Sequence, residues 1–242
     1  YGYRLDTNTP QSAAIINLIF PDGKRAPFAR GVTATLTNST IPGLLGVRIN
    51  VLPDGKTDLR WKDGTLWRFV PASFALGSLL ESITDPNGNV ITLRRDSARL
   101  QRILEITDPV GRKLSLQYDA SDRITSITDP ISRIVQYTYN AQGTLASVTD
   151  PEGGVTRYAY DAQNRLTQVT DARGVVVAQN TYDANGRVAT QSQGDGGTFQ
   201  FAYTLANPLI ATSPVLATRV TDPMGHVEVY RFNPQGFLVD AT

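Results

Sequence analysis

Alternation of apolar and polar residues dominates the second half of the chain. In Leu114-Ser115-Leu116-Gln117-Tyr118 and Val155-Thr156-Arg157-Tyr158-Ala159-Tyr160, Leu114, Leu116 and Tyr118, or Tyr158 and Tyr160, share one face at a period of two, which predicts half-buried strands. The segments that follow break the alternation in a regular way. Ile124 and Ile127, Leu145 and Val148, and Leu166 and Val169 stand three apart. A plain strand cannot put such a pair on one face, so each predicts a bulge just after a turn. Upstream, the turn signals Pro21-Asp22-Gly23-Lys24, Pro53-Asp54-Gly55-Lys56 and Lys62-Asp63-Gly64-Thr65 separate strand-like runs over 47–52, 57–61 and 66–70. The apolar run 13–20 stops at Pro21-Asp22-Gly23; it is too short for a membrane span and reads as another strand. The pattern predicts an all-β protein.

The turns recur with a period. Thr-Asp-Pro, relaxed once to Thr-Asp-Ala, places Asp85, Asp108, Asp129, Asp150, Asp171 and Asp222 at intervals of 23, 21, 21, 21 and 51 residues. A second marker, an aromatic followed by Asp or Asn, places Tyr118, Tyr139, Tyr160 and Tyr182 at intervals of 21, 21 and 22, with degenerate copies at Tyr203-Thr204 and Phe232-Asn233. In Asp-Pro-x-Gly the carboxylate can accept following backbone N–H groups, proline presets φ, and glycine accepts a positive φ. The second marker also ends in Asn or Gly, as in Tyr182-Asp183-Ala184-Asn185-Gly186-Arg187, residues that tolerate left-handed backbone. A unit is then two strands and two turns. Consecutive units predict one antiparallel hairpin strip, Asp-Pro turns on one edge and Tyr-Asp turns on the other, advancing about 10 Å per unit and curling as strand twist accumulates. A lone hairpin cannot bury its apolar face, so each unit leans on its neighbours.

Leu93-Arg94-Arg95-Asp96 aligns with Leu116-Gln117-Tyr118-Asp119, Arg95 taking the tyrosine slot, so the array starts by about residue 80. The expected organisation is a β-rich N-terminal segment over 1–46, divergent hairpins over 47–79, and an array of about 21-residue units over 80–242 with a loop insertion near 205–217. The residues before the array read either as divergent repeats or as a plug-like domain. The chain is expected to be part of a longer product, because it opens on Tyr1 and stops within a return strand at residues 236–240. Cut edges of this kind predict either self-association or residues 1–30 folding back over the open face, the two differing in the burial of Ile15, Ile16, Leu18 and Phe20.

The unit Gly-x(n)-Tyr-x-Tyr-Asp-x-x-Gly-Arg-Leu-x-x-Val-Thr-Asp-Pro, best seen over residues 153–170 with Asn164 in the glycine slot, resembles the YD repeat of the RHS family. That family includes bacterial RHS polymorphic toxins, wall-associated YD-repeat proteins and the extracellular part of teneurins. The resemblance covers about residues 47–242. It implies a spiral β-strip whose complete form is a hollow shell, holding a C-terminal effector in the toxins. It also implies a shell-closing autoproteolytic segment, but Asp222-Pro223-Met224-Gly225 here runs into His226-Val227-Glu228-Val229-Tyr230, an ordinary repeat strand.

Composition narrows the chemistry. Lys and Arg number 23 against 22 Asp and Glu, which argues against a phosphate-tracking nucleic-acid surface. Cysteine is absent and His226 is the single histidine, so neither thiolate nor two-histidine metal sites can form, and no Gly-x-Ser-x-Gly elbow accompanies the one possible base. The aspartate ladder reads as turn capping rather than calcium binding. Trp61, Trp67, Tyr158 and Tyr160 read as fillers of an apolar face rather than sugar stackers. Arg112, Arg123, Arg133, Arg165 and Arg187 read as partners of turn aspartates. No cofactor, metal or catalytic group is expected. The function expected from the resemblance is structural: an encapsulating scaffold segment of a secreted or cell-surface bacterial RHS/YD-repeat protein. Such a shell belongs to a polymorphic toxin of interbacterial competition, with the rest of its chain and a toxin domain as partners. The alternative is an adhesin-like module for glycans or a partner protein.

Overall fold

Short strands rich in Ile, Leu and Phe at alternate positions must find a second layer or close on themselves, and the first eight strands close. In the computed structural model, which describes residues 3–6, 15–22, 24–30, 35–73, 77–210, 212–234 and 236–242, the chain divides into two units, Tyr1–Ile134 and Val135–Thr242. The first begins with β1 (Arg4–Asp6), β2 (Ile15–Ile19), β3 (Arg25–Arg30), β4 (Leu36–Thr37), β5 (Arg48–Val51), β6 (Thr57–Arg60), β7 (Leu66–Ser73) and β8 (Gly77–Thr84). Each pairs antiparallel with the next, and β1 pairs with both β2 and β8, for example Leu5 opposite Leu18 on one side and Ser78 on the other. The result is a closed antiparallel barrel.

Its interior is set by period two. In β2, Ile16 and Leu18 point inward and Ile15 outward; in β3, Ala26 and Phe28 point inward. With Leu5, Leu36, Ile49, Leu59 and Phe69 they form a core of fully buried side chains, the Leu, Ile and Phe side chains each contributing about 1.5–3 kcal/mol relative to exposure. Buried Asn38 fixes a corner: its Nδ2 donates to the Pro27 carbonyl at 2.7 Å, while Oδ1 accepts the Ile41 N–H at 2.7 Å. Of the four residues that distinguish the two fates of the N-terminal segment, Ile16 and Leu18 are fully buried and Phe20 packs half-buried against the core, while Ile15 stays 55% exposed. The described part of that segment therefore builds the barrel.

β8 belongs to two structures. Its start pairs with β1 inside the barrel, and its end pairs with β9 (Val90–Arg95) through Ser82, Ile83 and Thr84. From there β10 (Ile103–Thr107), β11 (Lys113–Tyr118) and β12 (Ile124–Thr128) continue as a meander. The second unit is a meander throughout: β13 (Ile134–Tyr139), β14 (Leu145–Thr149), β15 (Val155–Tyr160), β16 (Leu166–Thr170), β17 (Val176–Tyr182), β18 (Val188–Gln193), β19 (Thr198–Leu205), β20 (Val215–Thr221), β21 (Val227–Phe232) and β22 (Leu238–Ala241). Each of these strands pairs antiparallel with the next. Among the described residues every buried core side chain lies between Leu5 and Leu80; the apolar positions of the meanders are half-buried at most.

The bulges fall where the three-residue spacing requires them. Gln117 faces Ser126 but Tyr118 faces Ile124, leaving Thr125 unopposed, so Ile124 and Ile127 return to one face. The same shift follows Tyr139, Tyr160 and Tyr182. The 22-residue spacing before Tyr182 is absorbed by a further irregularity, between Val169 and Thr170 in their pairing with β17. The insertion lengthens β19 and β20, whose ladder runs from Gln200 opposite Thr221 to Leu205 opposite Val215 before the loop.

Candidate functional site

The repeated polar residues assemble into two devices. The first is the turn. Residue i donates its N–H to the carbonyl of i+4, and the N–H of i+3 returns to the carbonyl of i, as at Asp108/Arg112, Asp119/Arg123 and Asp161/Arg165. Both sequence markers make this same loop. Position i+3 lies at positive φ, filled by Gly111, Gly153, Gly174 or Gly225, and by Asp122, Ser132 and Asn164 at φ 64, 67 and 59°. The carboxylate at i caps the interior: Asp161 Oδ1 accepts the N–H groups of Gln163 and Arg165, each at 2.9 Å, and Oδ2 takes Arg165 Nε at 2.7 Å.

Asp85, Asp108, Asp129, Asp150, Asp171 and Asp222 all occupy position i on the Asp-Pro edge. Their Oδ2 partners differ: Asn89 for Asp85, Arg112 for Asp108, Arg133 for Asp129, Arg173 for Asp171 and the exposed His226 for Asp222. At Asp150 the i+4 residue is Gly154, which offers only its N–H. The Arg165 N–H and then its guanidinium hold Asp161 below the ordinary aspartate pKa, and Arg123 does the same for Asp119. The Val175 N–H followed by the Arg173 guanidinium lowers Asp171.

The second device joins neighbouring turns on the other edge. Tyr118, Tyr139, Tyr160 and Tyr182 each end a strand opposite Ile124, Leu145, Leu166 and Val188. The Tyr182 hydroxyl reaches back to the previous unit and donates to the Leu166 carbonyl at 2.6 Å, while the Arg165 guanidinium lies 4.5 Å from its ring centroid. Tyr203 repeats this with Val188 and Arg187 at 2.8 and 5.0 Å, and Tyr118 with Ile103 and Arg102 at 2.9 and 5.2 Å. Arg95 in the tyrosine slot keeps the reach, donating to the Leu80 carbonyl at 3.1 Å. Arg165 and Arg187 thus each pair with their own turn aspartate and stack on the tyrosine one unit later, a clasp between hairpins, while Arg102 makes the same stack but pairs with Asp122 of the following turn. The sequence reading found the arginine–aspartate pairs and missed the stacking. The signal was present, since the arginine after one Tyr-Asp turn stands 16 residues before the next tyrosine, as Arg187 before Tyr203, or 17, as Arg165 before Tyr182.

Other candidates resolve as packing. Trp61 and Trp67 meet edge to face at 5.0 Å, and Trp67 meets Tyr3 at 4.9 Å. An open apolar cavity of about 420 Å³ lies between Pro214, Val215, Thr218, Phe232, Pro234 and Gly236. Among the described residues no group of His, Asp and Glu is placed to hold a metal ion, and no helix is long and apolar enough to cross a membrane.

Hairpins repeated at about 21 residues, capped by aspartate and clasped by arginine and tyrosine, define a β-hairpin repeat protein. The family model described as RHS Repeat matches residues 99–130, 118–155 and 139–176. These matches span residues 99–176, about a third of the chain, and that stretch carries RHS repeats. Among curated proteins none matches. Similar solved structures include a crystal structure of TcdB2-TccC3-TEV, 16% identical, covering 97% of this chain and 12% of that chain at a TM-score of 0.49. Another is a Photorhabdus luminescens Tc holotoxin pore with mutated TccC3, 15% identical over 91% of this chain and 12% of that chain, also at 0.49. The chain spans about 12% of the length of these structures.

Proposed function

We propose that this chain is a wall segment: a non-catalytic scaffold that, within a longer exported RHS-repeat protein, helps enclose another part of the polypeptide. In this reading residues 80–242 supply the repeat wall and the barrel before them is its leading module. The enclosed part is a toxin domain used against competing bacteria. The observation that carries the reading is where the repeat's side chains are used. Asp, Arg and Tyr of the array bind its own turns and neighbouring hairpins, and its Leu, Ile and Tyr face stays only half-buried. A strip that spends its polar groups on its own continuity, and leaves an apolar face uncovered, suits enclosure better than catalysis or selective capture.

Limited proteolysis of the longer chain tests this. Sequence beyond the array should survive trypsin at doses that digest the same sequence expressed alone. Digestion at equal rates would overturn the proposal, as would saturable binding of the 242-residue chain on a glycan array, the behaviour of an adhesin.

A further inference from the structure

The hairpins that turn on the Asp-Pro edge are held at two ends, and one of them lacks both holds. Near the turn, the β10–β11, β14–β15, β16–β17 and β18–β19 ladders each run for only three residue pairs before the strands diverge toward the Tyr-Asp edge. In three of the four the diverging end is closed by a clasp: Arg102 and Tyr118 for β10–β11, Arg165 and Tyr182 for β16–β17, Arg187 and Tyr203 for β18–β19. The β8–β9 hairpin closes through Arg95 and the Leu80 carbonyl. The β20–β21 hairpin carries Phe232 in the tyrosine slot but compensates with five pairs, from Ala217/Arg231 to Thr221/Val227.

β14–β15 has neither remedy. The arginine slot holds Thr144, whose hydroxyl is taken by Asn140 Nδ2 at 2.6 Å. Among the described residues no guanidinium covers the Tyr160 ring, and the Tyr160 hydroxyl reaches no carbonyl. At the turn end Asp150 has Gly154 four residues on, and no cation pairs with its carboxylate among the described residues. A Cβ on Gly154 would stand 2.5 Å from Asp150 Oδ2 and 3.1 Å from Ala172 Cβ, so admitting a side chain there would require the carboxylate to turn aside.

We infer that β14–β15 is a joint built into the array, the hairpin at which the strip parts first. The inference needs only the isolated chain and is independent of the enclosing role; in a wall it marks where the sheet would yield. Hydrogen exchange of the 242-residue chain tests it. After correction for intrinsic rates, amides at 147–149 and 155–157 should be protected at least about fivefold less than those at 168–170 and 176–179, the size of one partly exposed cation–π contact. Rebuilding the missing parts with Asn140→Asp and Thr144→Arg copies the Asp183-Ala184-Asn185-Gly186-Arg187 turn and should remove that deficit. The gain should vanish when Tyr160→Leu is added. The converse variant, Arg165→Thr, should lower protection of β16–β17 toward that of β14–β15 without reaching it, because Arg173 still pairs with Asp171 at the turn. Equal protection of the two hairpins in the unaltered chain overturns the inference, and so does a gain from the rebuilt turn that persists without the Tyr160 ring.

Discussion

Closing the barrel depends on one backbone position, and replacing Gly77 by alanine should open it. Gly77 begins β8 at φ +68°, and a Cβ there would stand 2.1 Å from the Leu5 carbonyl oxygen on β1. Gly88 supplies the internal control, with φ +85° and nothing within 4 Å of its would-be Cβ. Gly88→Ala therefore measures the left-handed backbone cost alone, about 1–2 kcal/mol. Gly77→Ala adds a clash with backbone that only separation of β1 from β8 can relieve. That separation removes the pairing of Arg4 with Leu79 and Leu5 with Ser78, at about 1 kcal/mol per hydrogen bond. It also uncovers Leu5, now fully buried, at about 1.5–3 kcal/mol. The Gly77 variant should thus lose about 3–4 kcal/mol more than the Gly88 variant. Urea unfolding followed by tryptophan fluorescence reads the difference cleanly, because the chain's 2 tryptophans are Trp61 and Trp67, and Trp67 touches Tyr3 just before β1. Losses in the two variants equal within about 0.5 kcal/mol, the usual scatter of independent substitutions, would show that β1 is not held against β8 and would refute the closed barrel.

Two further outcomes are expected. Ser132 sits at φ 67° with no role that needs its side chain in the turn, so Ser132→Gly should raise stability by about 0.5–1 kcal/mol; Asp122→Gly at φ 64° should not, because Asp122 accepts from Arg99, Arg102 and Gln101. Thermal melts of both variants check this, and a lower melting point for Ser132→Gly would contradict it. The array should also unfold in acid: Asp85 is held low by the Asn89 side chain, Asp119 and Asp161 by the N–H groups and guanidinium groups of Arg123 and Arg165, all below the ordinary value of 3.8. A carboxyl depressed in the folded state contributes stability that is whole above its unfolded pKa and is lost as pH falls through the folded one. Denaturant midpoints should therefore hold steady down to about pH 5 and fall below the ordinary aspartate value, and midpoints unchanged at pH 2.5 would contradict the capping role.

Much of the array was legible because each marker has a local cause. Asp, Pro and Gly at i, i+1 and i+3 dictate a turn whatever surrounds it, and Ile124 with Ile127 dictates a bulge. One turn was overlooked for a physical reason. The strands β18 and β19 are joined at Gln193-Gly194-Asp195-Gly196, where the carboxylate stands at i+2 and caps only the Gly197 N–H, so no Thr-Asp-Pro announces it. The same variant builds the barrel turns, where Asp54 caps the Lys56 N–H and Asp63 the Thr65 N–H. Those Asp-Gly pairs were read as turns, and the same signal at Asp195-Gly196 would have divided the 51-residue gap. The barrel was not legible. Alternation says which face of a strand is buried but not which distant strand lies beside it, and two residues of β1 meeting β8 more than seventy positions later leave no periodic trace.

The position of the carboxylate also explains why the array repeats and the barrel does not. An aspartate at i+2 finishes its work within the turn. An aspartate at i caps two N–H groups with Oδ1 and keeps Oδ2 for an outside donor, and on the Tyr-Asp edge that donor can be an arginine at i+4 whose guanidinium lies over the tyrosine of the following hairpin. Asp161, Arg165 and Tyr182 form one such chain, and Asp183, Arg187 and Tyr203 form the next. Each link is worth little alone, on the order of 0.5–1 kcal/mol for a partly exposed stack and less for the ion pair. Each nonetheless ties one Tyr-Asp turn to the tyrosine of the next unit. The long insertion lies beyond a clasp, in the loop between β19 and β20, where Tyr203 keeps its bond to the Val188 carbonyl while the strand runs on to Leu205, whereas the single extra residue within the Arg165–Tyr182 span is taken up by a bulge. The clasp thus fixes which turn is linked to which tyrosine rather than an exact residue count, since 17 residues separate Arg165 from Tyr182 and 16 separate Arg187 from Tyr203.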